Sequence, residues 1–247
     1  MRWCRVAGGA FGIVTEDKVE LVDGTPFGEH RRTGEVRALD AVRLLPPVVP
    51  PTFYAVGFNY RSHGPAPERP EVGYRAQSAL IGHGEPVVKP ADAEGAFEAE
   101  PELVAVLGRT VRRCSRDEAA DAVFGWTIGN DVSVRGWQRT DRTLWRAKNC
   151  DTFKPMGPWI DTAAAPLEAE TTVSVDGVRV AAFPTGAMVF DPYDYLAEIS
   201  RYITLHPGDV LWLGTGATVE MRPGTTVDVA IGGVGVLSNP IVPEEDE

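Results

Sequence analysis

The chain has 247 residues, carries a formal net charge of −11 and is 43% hydrophobic. That is enough apolar material for one large β-rich domain, or for a small unit plus a larger one, and the acidic balance argues against holding a nucleic acid backbone by broad charge attraction. No apolar run is long enough to span a membrane, and three widely spaced cysteines (Cys4, Cys114 and Cys150) without a CxxC pair argue against a structural zinc site, so a reducing cytoplasm is the expected setting.

In chain order, MRWCRVAGGAFGIV reads as a first strand and not a signal peptide. Phe11, Ile13 and Val14, then Val19, Leu21 and Val22, predict a hairpin around Glu16-Asp17, with Asp23-Gly24 as a turn. Residues 1–45 are expected to form a small N-terminal β unit, joined to the main domain by the proline-rich stretch Leu44 to Pro51. Phe53 to Gly57 is a strand. Asn59 to Gln77 holds five Pro or Gly residues, shows little periodicity and is expected to be a mobile lid. Ser115-Arg116-Asp117-Glu118 is a capping box that opens a helix through Val123, and Phe124 to Ile128 is a strand closed by Gly129-Asn130-Asp131.

Asp191-Pro192 is an N-cap followed by proline, and Leu196, Ile199 and Ile203 give its helix one apolar stripe. Val173 and Val175 lead to an Asp176-Gly177 turn. Val210 to Leu213, Val227 to Ile231 and Val234 to Leu237 complete the strands, and 243–247 is expected to be a frayed acidic tail. Many short strands with a few short helices predict a mainly β, α+β chain of the mixed β-sandwich or β-roll kind.

Five clusters carry candidate chemistry. In Phe97-Glu98-Ala99-Glu100-Pro101-Glu102 an extended backbone puts the three glutamates on one face, roughly 6–7 Å between neighbours. Their repulsion is on the order of 2–3 kcal/mol per pair at an effective dielectric near 20. A divalent cation would remove that penalty, and oxygen-only ligands point to Mg²⁺, Mn²⁺ or Ca²⁺; a solvated acidic edge strand is the alternative. Asp131 closes a strand, as a site residue at a loop mouth or as a plain turn, and Arg135 and Gln138 follow at a spacing that shares one side of a helical turn. Lys148 stands in a loop where it either offsets an enolate or lies on the surface. His63 sits in the long loop as a lid base or incidentally, and Gly214-Thr215-Gly216 is a glycine turn able to present N–H groups and a hydroxyl to an anion.

In this order, the stretches VGFNYRSH, SALIGHGEPVVKP, EAEPELVAVLGR, VFGWTIGNDVSVRGWQ, KNCDTFKPMGPW, PGDVLWLGTG and GVGVLSNPIV resemble the fumarylacetoacetate hydrolase superfamily. The resemblance implies a catalytic domain over 50–242, a homodimer, and one Mg²⁺ or Mn²⁺, with Ca²⁺ as a structural substitute. It places the metal on Glu100, Glu102 and Asp131. Arg135, Gln138, Thr215, Gly214 and Tyr60 are expected around a small anionic oxo-acid substrate, Lys148 near the metal, and His63 as the lid histidine. Three departures stand out. His63-Gly-Pro-Ala66 lacks the glutamate of the family's His-x-x-Glu, leaving Glu68 or Glu71 as candidate partners. Gly73-Tyr74-Arg75-Ala76 replaces a Phe-x-Lys-Pro segment, and Gly216 stands where proline is usual. The implied chemistry is that of a metal-stabilised enolate: hydrolysis of a C–C bond in an acylpyruvate-like acid first, then decarboxylation, isomerisation, tautomerisation or hydration of a 2-oxo acid, with a metal-binding protein without turnover as a further alternative.

Overall fold

The computed structural model describes residues 1–245; the His63 side chain and residues 246–247 lie outside that description. The chain is mainly β, with four short α-helices among the described residues. One large mixed sheet runs through His30–Ala38, Lys18–Gly24, Phe11–Thr15, Arg2–Val6, Lys154–Asp161, Val123–Asn130, Pro101–Leu107, Val210–Trp212, Phe53–Gly57 and Glu71–Tyr74. A five-stranded sheet contains Glu170–Val175, Val178–Pro184, Thr226–Ile231 and Gly235–Pro243, and a three-stranded sheet contains Phe97–Ala99 and Ser133–Val134.

The hydrophobic run of Pro101–Leu107 becomes the centre of the large sheet, between Val123–Asn130 and Val210–Trp212, with all seven residues buried. Strand alternation sends Leu103, Ala105 and Leu107 into one apolar cluster and Val104 and Val106 into another, so this strand is covered on both faces. Pro101 therefore does not mark an edge. It opens the strand where the chain leaves the three-stranded sheet, and Glu100 is the joint between the two.

The first hairpin forms around Glu16-Asp17, with Glu16 at φ 54°. Asp23-Gly24 is not the turn: both residues still pair with the next strand, and the chain reverses over 25–29. The proline-rich join Leu44 to Pro51 is packed against the sheet: Leu44 pairs with Val6 and Val48 is in the core. Part of the expected mobile lid is structured, because Glu71–Tyr74 pairs antiparallel with Phe53–Gly57. Both helix caps form as read, Ser115 with Glu118 and Asp191 with Asp194. The second helix ends at Ser200, however, so Ile203 lies beyond it and is 38% exposed. The acidic tail begins later than expected: Pro243 closes a strand, the Glu244 N–H donates to Lys89 O at 2.9 Å, and its carboxylate accepts from Ala91 N–H at 2.8 Å. No helix of the described residues is long and apolar enough to cross a membrane.

Candidate metal and substrate site

Three carboxylates meet where the two central strands end. Asn130 pairs with Pro101, the Asp131 N–H donates to Glu100 O at 2.9 Å, and the Glu100 N–H donates to Asn130 Oδ1 at 3.0 Å. One register step further, Glu102 lies opposite Gly129. These backbone bonds bring one oxygen each of Glu100, Glu102 and Asp131 within 4.8 Å of one another, all buried. The Trp212 ring presses on Gly129, where a Cβ would come within 2.5 Å of it, so glycine is required beside the site.

The cations around this triad are distributed unevenly. Asp131 takes Arg75 Nε at 3.0 Å and Lys154 Nζ at 2.8 Å on Oδ1, and Arg75 Nη2 at 2.8 Å and Lys148 Nζ at 2.7 Å on Oδ2. Burial alone would raise its pKa, but Arg75, Lys148 and Lys154 together hold it well below the usual carboxylate range. Glu100 accepts from Lys148 Nζ at 2.6 Å and Ser133 Oγ at 3.1 Å and pairs with Arg135; against burial, chiefly Lys148 keeps it low.

Glu102 differs. The one hydrogen bond of its carboxylate among the described residues is from the Gly214 N–H at 2.8 Å. Burial, then Asp131 and Glu100, push its pKa well above the ordinary value. A buried carboxylate beside two others, with no cation bonded to it, is the group a divalent ion would satisfy. The donor set, three carboxylates and no nitrogen or sulfur, fits Mg²⁺ or Mn²⁺.

Lys148 is buried, and although burial lowers its pKa, Asp131 and Glu100 more than reverse this. In Lys154 burial prevails, lowering it to about 8. Arg135 opens the short helix Arg135–Gln138; it pairs with Glu98 through Nε and with Glu100 through Nη2, and donates to Gln138 Oε1 from Nη1 at 2.9 Å. A pocket of about 160 Å³ opens onto Glu100 and Glu102 and is lined also by Arg75, Arg135, Gln138 and Lys148, with Gly214 and Thr215 at its side.

Most residues expected from the sequence thus converge, but three expectations change. Tyr60 does not line the pocket. Its buried phenol donates to Thr185 O at 2.6 Å, as a buried hydroxyl must find an acceptor, and its ring packs against Phe183. The glycine turn gives its first N–H to a protein carboxylate and not to a substrate anion: Gly214, at φ 78°, donates to Glu102, and Thr215 bonds its own turn through Ala217 O at 2.7 Å. Glu68 is exposed and lines a separate groove with Arg69, Glu198 and Tyr202, because pairing of Glu71–Tyr74 carries this part of the loop away from the triad. Glu71 lines that same groove but lies nearer the triad pocket, one carboxylate oxygen being 3.6 Å from where a Cβ on the pocket-lining Gly57 would sit. The His63 side chain lies outside the described residues.

Arg75 and Lys154 complete the site and are not among the site residues expected from the sequence. The signal for Lys154 was present: a lysine in the buried strand Lys154–Asp161 demands a carboxylate partner.

The family model described as fumarylacetoacetate (FAA) hydrolase C-terminal matches residues 52–242, and a model described as Rv2993c-like, N-terminal matches residues 1–47. The chain belongs to the fumarylacetoacetate hydrolase family. Protein Rv2993c of Mycobacterium tuberculosis is 38% identical over 245 residues, covering 95% of this chain and 91% of that protein. Among solved structures, the 5-carboxymethyl-2-hydroxymuconate delta-isomerase of Mycobacterium smegmatis aligns with a TM-score of 0.91 at 36% identity, over 99% of this chain and 100% of that one. The maleylpyruvate hydrolase of Sphingobium sp. SYK-6, in complex with manganese(II) and pyruvate, aligns with a TM-score of 0.84 at 26% identity, again over 99% and 100%. Named relatives in the family include hydrolases, isomerases and tautomerases.

Proposed function

We propose that the protein is a divalent-metal-dependent enzyme that acts on a small 2-oxo or 1,3-dioxo acid through its enol form. The observation that carries this reading is the convergence of Glu100, Glu102 and Asp131 beside the Lys148 ammonium, with Glu100, Glu102 and Lys148 lining one small pocket. An Mg²⁺ or Mn²⁺ ion held by the three carboxylates would supply Lewis-acid polarisation of a substrate carbonyl.

The chain's own residues do the rest. Lys148 holds a fixed positive charge at the pocket wall, where negative charge on a substrate oxygen is offset. Gln138 accepts from Arg135 through Oε1, which leaves its amide N–H₂ group as a donor for a substrate oxygen. Arg135 has three of its five N–H donors committed and two left for a carboxylate.

Within this frame we place proton-transfer chemistry, keto–enol tautomerisation or isomerisation of a 2-oxo acid, ahead of hydrolysis. The family's His-x-x-Glu is missing, and Glu68 faces another groove. A histidine that activates water needs a partner to fix its tautomer and support the imidazolium. Hydrolysis of an acylpyruvate-like acid is the second reading, favoured by the nearness of Glu71 to Gly57, with His63 as base.

Oxaloacetate and acylpyruvates screened in D₂O with Mg²⁺ or Mn²⁺ test both. Tautomerase chemistry appears as metal-dependent deuterium exchange at C3 without cleavage, and hydrolysis as a released carboxylate labelled from ¹⁸O water. Glu102→Gln should abolish either. Neither exchange nor cleavage with any substrate would overturn the enzymatic reading.

A further inference from the structure

Asp131 has no acceptor site to spare. Its two oxygens receive four charge-assisted donors, two from Arg75 and one each from Lys148 and Lys154. A carboxylate offers about four lone-pair sites, so an incoming cation must replace a donor already in place.

The three donors are not equally replaceable. Lys154 has a fully buried side chain and also donates to Phe153 O at 2.8 Å and Val132 O at 3.2 Å; withdrawing it would leave an ammonium stranded in the core. Lys148 is shared with Glu100 at 2.6 Å and is held by both carboxylates at once. Arg75 is bonded to no carboxylate other than Asp131 among the described residues. Its third contact, from Nη1 to Tyr74 O at 3.0 Å, is on the exposed side; its own side chain is 8% exposed, and it lines the pocket directly after a tyrosine that is 57% exposed. Its backbone is anchored independently of the side chain: the Arg75 N–H donates to Phe53 O at 3.0 Å and the Ala76 N–H to Asn149 Oδ1 at 2.7 Å. The guanidinium can therefore leave by side-chain rotation, with the backbone in place and water within reach.

We infer that Arg75 is an exchangeable internal counter-cation of the metal site: in the metal-free protein its guanidinium clamps both oxygens of Asp131, and a divalent ion binds the three carboxylates by displacing it. This rests on the proposed metal reading and adds a determinant of metal affinity to it. It also gives the displaced guanidinium a second place to act, since Arg75 already borders the pocket that receives an anionic substrate.

Calorimetric titration of Mn²⁺ into wild type, Arg75→Met and Glu102→Gln tests the idea. Arg75→Met keeps the apolar stem and removes the competing charge, so its Mn²⁺ affinity should exceed wild type by roughly tenfold or more. Wild-type binding lost in Glu102→Gln, with Arg75→Met equal to or weaker than wild type, would overturn the exchange and leave the metal reading standing. No Mn²⁺ binding by either wild type or Arg75→Met would overturn both.

A second measurement needs no variant that might misfold. In wild type labelled with [¹⁵N]arginine, one Nε–H resonance should be protected from solvent exchange in the metal-free protein and lose that protection at saturating Mg²⁺. Protection that persists at saturation would also overturn the proposal.

Discussion

Two arginines at this site are expected to act in opposite directions. Arg75 occupies acceptor capacity that the metal needs, whereas Arg135 stands outside the triad and fixes Glu100, Glu98 and Gln138 with three different N–H groups. Arg135→Lys keeps the charge but offers one point donor in place of a planar fork, so Glu100 loses its orientation. Loss of such an outer partner typically weakens metal affinity by about 10–100-fold. Calorimetry should therefore show weaker Mn²⁺ binding in Arg135→Lys. Unchanged Mn²⁺ affinity with a raised KM would instead make Arg135 a substrate contact.

Glu100, Glu102, Asp131, Arg135, Gln138 and Lys148 were all legible in the sequence, because they stand in short stretches of distinctive composition. What the sequence does not carry is who pairs with whom. Arg75, just past the strand Glu71–Tyr74, and Lys154, at the start of Lys154–Asp161, come to Asp131 from 56 and 23 positions away along the chain, and only the pairing of those strands brings them there. The direction of Glu68 was hidden for the same reason: a short strand at Glu71–Tyr74 decides it, and the prolines and glycines around that strand mask it.

At the level of elements, the site depends on how closely the strand Val123–Asn130 packs under Trp212. A methyl group on Gly129 meets a fully buried indole that cannot swing aside. Gly129→Ala is expected to cost about 1–3 kcal/mol of stability, as overpacking does, and to shift Asn130 and Asp131 with it. Denaturant unfolding together with Mn²⁺ titration should show both losses. A variant with full stability and full metal affinity would mean that the two strands have slack.

A different element sets an acid limit. The half-buried His83 accepts the Ser238 N–H on Nδ1 at 3.2 Å, which only the unprotonated nitrogen can do, and its partial burial lowers its pKa below the usual 6.5 despite Asp228. The unfolded chain therefore binds this proton more readily than the folded one, so the His83 contribution is complete above about 6.5 and fades as pH falls. His83→Gln should flatten the decline in Tm between pH 7 and pH 5 relative to wild type. Identical slopes would remove His83 from the acid response.

For the molecule as a whole, most strands and both caps follow from alternation and capping residues that need only local information. The assembly of those strands into one large sheet crossing the proline-rich join does not, since it depends on Arg2–Val6 pairing with Lys154–Asp161, more than a hundred residues away. The same strand that starts with the Asp131 partner Lys154 thus ends against the first strand of the chain.

That pairing makes the first forty-odd residues a guard for an otherwise open sheet margin. Without Arg2–Val6, the backbone donors and acceptors at Ile160 and Asp161 have no neighbour on that side, and Trp3, Ile13 and Val22 no longer cover the Val104, Val106, Met156 and Ile160 cluster. Bare strand margins over sticky surfaces recruit other chains. A version trimmed to residues 50–247 is accordingly expected to self-associate or precipitate, although every proposed metal ligand is retained. Light scattering on the purified fragment checks this. A clear, monodisperse fragment that still binds Mn²⁺ would show that the leading strands are dispensable as a guard.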